Sequence, residues 1–306
     1  MQNTLVRSVT FQGVGLHSGA PVTMTVHPAA EDHGIWFRRT DVTGADARVP
    51  AQWDAVVPSR LCTLVANAAG TSVSTIEHIM AALAGSAIHN ALIDIDGPEV
   101  PILDGSAVPF VAGFLEAGIV SQGAPVRAIR VLKPVEVREG EAVARLEPSD
   151  MLEIAFHIDF AEAAIGRQDK VLNMANGAFV RELSDSRTFC RNAEVVAMRE
   201  RGLALGGTLE NAVVFEGDKV LSPGGLRHAD EPVRHKMLDA LGDLALAGGP
   251  ILGRYTGIRA GHALTNRLLR ALFADPTAWR VQDCEGLASG KLPGVGVHRG
   301  DLPLSA

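Results

Sequence analysis

Cysteine, aromatic residues and long apolar runs are all scarce in this sequence. Its three cysteines, Cys62, Cys190 and Cys284, are too few and too scattered for a disulfide framework or a Cys-based zinc site, which fits a reducing, cytoplasmic location. No stretch of about 18 apolar residues runs uninterrupted, so no membrane-spanning helix is expected. The opening "MQNTLVRSVTFQGVGLHSG" passes from Arg7 into alternating apolar residues and glycine without the apolar core of a signal peptide. Positive charge is also short: 28 Lys and Arg face 35 Asp and Glu, a net charge of −7. That balance argues against nucleic acid or an anionic membrane as the main partner, since both need a dense basic surface. A local basic pocket for a phosphate is still compatible with it. Among what is present, 47% apolar and 21% charged residues describe a soluble globular chain. At 306 residues it can build one large or two medium cores, and two domains fit the length better.

Short β-like runs open the chain, as in "TLVRSVTFQG", "PVTMTVHP" and "GIWFRRTD". Helical periodicity follows in "STIEHIMAALAG" (74–85) and, after the strand-like "NALIDIDG", in "AVPFVAGFLEAGI" (107–119). "SQGAP" (121–125) punctuates like a linker. The second part begins in the same way, since "RAIRVLKPVEVREG", "AVARLEPS" and "LEIAFHIDF" read as strands, followed by helix-like segments near 176–183 and 192–201. "NAVVFEGDKVL" and "GPILGRYTG" are strand-like around a helix containing 233–243, and another helix spans about 261–273. Strands first and helices later in both parts is an α+β signature. The expected organisation is an N-terminal α+β domain (1–123), a C-terminal α+β domain (124–274) and a loosely ordered Gly/Pro-rich tail (275–306). A duplicated unit is plausible, although no strong sequence repeat supports it.

Chemistry concentrates in "VRHKMLDALGD" (233–243), where His235, Asp239 and Asp243 recur at steps of four on an amphipathic helix. Positions four apart stack nearly above one another, so all three can face one cleft. A His and an Asp so spaced can hold a metal, but exposed, solvated side chains are the commoner outcome. A catalytic zinc needs a third protein ligand and a carboxylate near the open position. "STIEHIM" offers both in Glu77 and His78, whose side chains diverge by about 100°. On that stretch alone, Ser74-Thr75-Ile76-Glu77 reads better as a capping box, with Glu77 satisfying the Ser74 N–H. His262, in "RAGHAL", is either an ordinary surface residue or a general acid kept charged by a carboxylate such as Asp243. Thr188, beside Phe189 in "SRTFC", is either a hydroxyl donor for an oxyanion or a polar loop residue.

Taken together, "GVGLHSG" (13–19), "LCT" (61–63), "STIEHIMAALAG", "PILDGSAVPF" (101–110), "SRTF" (186–189), "VRHKMLDALGDL" and "GHAL" (261–264) resemble the UDP-3-O-acyl-N-acetylglucosamine deacetylases, zinc amidases of lipid A biosynthesis. The resemblance covers about residues 2–273. It implies two α+β domains of similar topology, each a sheet covered by helices, with the active site between them. It implies Zn2+ on His78, His235 and Asp239, and Glu77 as the general base that activates water. Thr188 would stabilise the oxyanion, and His262, supported by Asp243, would protonate the leaving amine. Lys236, His17, Leu61, Cys62 and Phe189 are implied substrate contacts, with Phe160 stacking on uracil and Arg259 a weaker candidate for the diphosphate. The acyl chain would enter a passage built by about 189–207. The implied enzyme is a cytoplasmic monomer with no nucleic-acid partner and at most peripheral membrane contact. Two departures stand out: Cys190 and Arg191 where the family commonly has Gly then Phe, and "FAEAAIG" in place of a form containing His-Pro. Competing readings are a metal-dependent amidase for another acylated nucleotide sugar and a non-catalytic lipid- or nucleotide-binding module with a structural metal. Structural zinc is normally closed by four protein ligands, which weighs against the last.

Overall fold

Alternating burial builds the sheets. In Pro21–Pro28, Val22, Met24 and Val26 are buried while the residues between them are not, the two-residue period of a strand with one covered face. The computed structural model describes residues 1–43, 46–59 and 61–303. Among these the chain is α+β, with helices α1 (Glu77–Gly85), α2 (Val108–Ala117), α3 (Ala178–Glu182), α4 (Asn192–Glu200), α5 (Glu231–Ala245) and α6 (His262–Ala274).

The first unit is a five-stranded sheet in the order Val9–Val14, Pro21–Pro28, Ala91–Ile95, Ile35–Arg39, Arg48–Pro50. Its successive pairings are antiparallel, antiparallel, parallel and antiparallel. The second unit repeats that pattern with Val135–Glu139, Ala142–Pro148, Ile251–Ile258, Leu152–Asp159 and Arg167–Asn173. Helices α1 and α2 bracket Ala91–Ile95 in the chain as α5 and α6 bracket Ile251–Ile258. The duplication is thus one of topology. Among the described residues no sheet is shared across 123/124, and we propose that point as the division between the units.

The two units meet through α1 and α5. A Cβ on Gly242 would lie 2.0 Å from the Glu77 carbonyl oxygen, so glycine is what lets α5 approach the α1 backbone so closely. One continuous buried cluster runs from Met24, Phe37 and Phe110 through Met80, Met237 and Leu241 to Tyr255 and Leu268. Burial at this interface is therefore common to both halves.

Two expectations need correction. Within the segment expected to be loosely ordered, Trp279–Cys284 forms a strand paired antiparallel with Val126–Val131 over six residue pairs. That pairing covers an otherwise open sheet edge, and Trp279 packs at 4.9 Å against Phe273, itself stacked on Trp53. The capping box is also absent. Ser74 ends a strand, and its N–H is already bonded to the Pro98 carbonyl, so it leaves no orphan donor for Glu77 to satisfy.

Candidate active site

Each chemical group stands on an element whose local structure fixes it. Glu77 and His78 are the first two residues of α1, entered through Thr75, a β-branched residue held at φ 58. His235, Lys236, Asp239 and Asp243 belong to α5, and His262 opens α6. The loop carrying Thr188 is pinned from several sides. Its backbone N–H donates to the Gly105 carbonyl at 2.8 Å, and the neighbouring Arg187 pairs at 2.9 Å with Glu231, the first residue of α5. Glu77, His78, His235, Asp239 and Asp243 are all buried.

Nε2 of His78 and Nε2 of His235 lie 3.7 and 3.3 Å from Asp239 Oδ1, and one donor atom from each of the three residues falls within 4.8 Å of the others. Four-coordinate zinc places neighbouring ligand atoms about 3.3–3.5 Å apart, so this triangle needs little adjustment to hold such an ion. Two further observations fit a metal. Asp239 Oδ1 is buried with no hydrogen-bond partner, whereas Oδ2 accepts from Lys236 Nζ at 2.5 Å. Nδ1 of His235 lies 2.9 Å from the Ser186 carbonyl. A carbonyl only accepts, so Nδ1 carries the hydrogen and Nε2 presents its lone pair to the centre. Burial, aided by His235, lowers the His78 pKa to about 3, and burial also lowers that of His235; both are the neutral imidazoles a metal requires. Asp239 is held below the usual carboxylate range despite its burial, by His235 and Lys236.

Beside this triangle sit a buried carboxylate, Glu77, and a third imidazole, His262. Burial pushes Glu77 up to about 7, with His262 opposing the rise. His262 is held at about 9: burial works against its charge, but Asp243, 2.9 Å from Nδ1, and Glu77 outweigh it. Nε2 of His262 looks toward Glu77 Oε1 at 3.8 Å and Asp239 Oδ2 at 3.9 Å. Near neutral pH the site can thus hold one group ready to accept a proton and another ready to donate one.

Comparison with known proteins gives the family. The LpxC family model, described as UDP-3-O-acyl N-acetylglycosamine deacetylase, matches residues 2–274. The chain belongs to this family. Among its relatives, a UDP-3-O-acyl-N-acetylglucosamine deacetylase of Phenylobacterium zucineum (strain HLK1) is 52% identical over 92% of this chain and 96% of its own. Proteins of the same name from Anaeromyxobacter sp. (strain Fw109-5) and Shewanella sp. (strain W3-18-1) are 47% and 46% identical, covering 92% and 93% of this chain and 91% and 93% of theirs.

In this member of the family, a cleft of about 370 Å³ collects most of the residues expected from sequence: His17, Leu61, Glu77, His78, Phe160, Thr188, Phe189, His235, Lys236, Asp239 and His262. Asp243 stands behind His262 rather than in the lining. A larger apolar passage of about 640 Å³ adjoins the cleft through Leu16, His17, Leu61, Thr188, Phe189, Cys190 and Glu194. Its wall comes largely from residues 189–209, including Val195, Met198, Leu203 and Leu209. Phe160 and Phe189 meet edge to face at 5.6 Å where cleft and passage join. Two expected contacts lie elsewhere. Cys62 is buried outside the lining, with its thiol pushed up to about 11 by burial. Arg259 also stays out of the cleft, paired with Glu141 and, at 2.7 Å, with Asp159.

Sequence reasoning missed the groups that hold these side chains in place. Buried Glu99 accepts from Thr75 Oγ1 at 3.0 Å and from the His17 and Ser18 N–H groups at 2.8 and 2.9 Å. It thereby ties the loop at the cleft mouth to the entry of α1. The Ser186 carbonyl orients His235, and Thr63 bonds to both Glu77 and Asp243. The stretch "LCT" is the one local signal, and its third residue carries these bonds.

Proposed function

We propose that this chain removes the N-acetyl group of UDP-3-O-acyl-N-acetylglucosamine in lipid A biosynthesis, releasing acetate and UDP-3-O-acyl-glucosamine, with zinc on His78, His235 and Asp239. Membership of the deacetylase family gives the substrate class. The observation that carries the chemistry is the buried His-His-Asp triangle flanked by a carboxylate at about 7 and an imidazole at about 9. Zinc bound there supplies Lewis acidity toward a water and toward the amide carbonyl oxygen.

The protein's own groups divide the remaining work. Glu77 accepts a proton from the water that attacks the acetyl carbon. Thr188 lines the cleft and offers a hydroxyl to the carbonyl oxygen as that oxygen gains charge. His262 donates its proton to the glucosamine nitrogen as the C–N bond breaks, and Asp243 stabilises the charged imidazole before that transfer. In this reading Lys236, Leu61 and His17 contact substrate, Phe160 stacks on uracil, and the apolar passage takes the acyl chain. In this reading every group invoked comes from one chain, so a single copy holds a complete site. Among the described residues no helix is long and apolar enough to cross a membrane.

The test is acetate release from this substrate together with metal analysis. The expected result is about one zinc per chain and activity lost on chelation and recovered on adding zinc. Full activity in exhaustively chelated, metal-free protein rejects the mechanism.

A further inference from the structure

The base and the acid's partner are both carboxylates, and each presents one oxygen to His262. Glu77 presents Oε1, 3.8 Å from Nε2, and Asp243 presents Oδ2, 2.9 Å from Nδ1. The other oxygen of each is held by a single residue. Thr63 donates its backbone N–H to Glu77 Oε2 at 3.0 Å and its hydroxyl to Asp243 Oδ1 at 2.5 Å. Its carbonyl accepts the N–H of Ile76, just before α1, at 3.3 Å. Thr63 is only 4% exposed, so water does not readily replace these bonds. Three bonds from one residue thus join the entry of α1 in the first unit to α5 in the second.

We propose that Thr63 is a positioning residue that sets which oxygen of each carboxylate works, aligning base and acid together. This rests on the deacetylation reading and on the roles given there to Glu77 and His262. The terminal torsion of a carboxylate is soft, so an unanchored Asp243 can turn Oδ2 away from His262. Misplacing a reacting group by about 1 Å can cost about a hundredfold in rate. The two arms are separable by substitution. The arm to Glu77 is backbone and survives a side-chain change, whereas the arm to Asp243 is the hydroxyl. Valine keeps the branched shape without the hydroxyl, and serine keeps the hydroxyl.

The experiment compares Thr63→Val and Thr63→Ser in the full-length zinc-loaded protein with Glu77→Gln, His262→Ala and Asp243→Asn, and with the double variant that combines Thr63→Val and Asp243→Asn. One pH unit below the parent's basic limb, Thr63→Val is expected to lower kcat by up to about tenfold, no more than Asp243→Asn does there, with KM and zinc content unchanged, and Thr63→Ser to stay within about threefold of the parent. In the Asp243→Asn background the valine change should have less than about a twofold further effect, because the hydroxyl acts through Asp243. Parental kcat in Thr63→Val, or an equal further loss in the Asp243→Asn background, overturns the proposal. If Thr63→Val does not fold, Thr63→Ala in the same cycle reads the same coupling. Loss of turnover in Glu77→Gln and His262→Ala with none in Thr63→Val removes only the role of Thr63. Retained turnover in those two variants removes the deacetylation mechanism itself.

Discussion

Replacing Asp243 with Asn should slow the enzyme at one end of the pH scale and leave the other nearly untouched. On the roles proposed above, the productive form needs Glu77 ionised and His262 protonated, and the two sit at about 7 and about 9. Activity therefore rises as Glu77 loses its proton and falls as His262 loses its own. Between those two limbs most molecules carry the right pair of states. Asp243 lies 2.9 Å from Nδ1 and is the strongest of the groups that raise His262. Loss of such a charged partner lowers a pKa by about 1–3 units. For a fall of about two, the productive fraction drops about fiftyfold at the midpoint of the parent's basic limb and about tenfold one pH unit below it, but by less than about twofold two units below it. The assay is kcat/KM for acetate release across both limbs, with zinc content measured at each pH. A bound divalent cation favours the deprotonated forms and draws both limbs to lower pH, so the prediction is read from the basic limb of the variant against that of the parent. A loss of equal size at every pH, or an unmoved basic limb, refutes the electrostatic role of Asp243.

Glu77→Gln should keep its zinc and lose about 10²–10⁴-fold in kcat, the usual worth of a positioned base; metal analysis beside turnover checks this, and normal turnover in a folded variant would make Glu77 structural. His262→Ala should impair turnover with metal content preserved, and metal loss instead would identify His262 as a ligand. Gly242→Ala puts a methyl group 2.0 Å from the Glu77 carbonyl oxygen. Forcing α1 from α5 should cost about 3 kcal/mol of stability and weaken zinc retention. A parental unfolding midpoint and parental zinc content would contradict the close-approach role of that glycine.

The α5 stripe is legible in the sequence because helical periodicity is a local property. Steps of four bring His235, Asp239 and Asp243 to one side whatever their partners are. The same local logic fails at Glu77. Ser-x-x-Glu is a capping signature only when the serine N–H is free, and here a strand pairing from far along the chain has taken it. Thr63 is illegible for a related reason: its two carboxylate partners lie 14 and 180 residues away, and no spacing rule reaches that far. Arg259 looks available to a diphosphate because sequence does not reveal that Glu141 and Asp159 surround it. The strand Trp279–Cys284 has no local signature because what orders it is the open edge of Val126–Val131.

Corresponding helices of the duplicated units contribute differently to the site. From α1 come two adjacent residues, Glu77 and His78, whose directions differ by about 100°, so one faces His262 and the other the His-His-Asp triangle. From α5 come residues at steps of four, whose directions drift by about 40° per step. Over His235, Asp239 and Asp243 that drift reaches about 80°, enough to carry the last away from the triangle and toward His262. On the roles proposed above, the first unit would supply the base and one ligand, and the second two ligands and the acid. Neither half has the whole triangle, and His78 joins His235 and Asp239 only because the α1 backbone comes within reach of Gly242 on α5. The α1–α5 contact sets how the groups on α1 face those on α5, so a change at Gly242, which lies against the Glu77 carbonyl, is expected to displace Glu77 and His78 together relative to His235, Asp239 and Asp243.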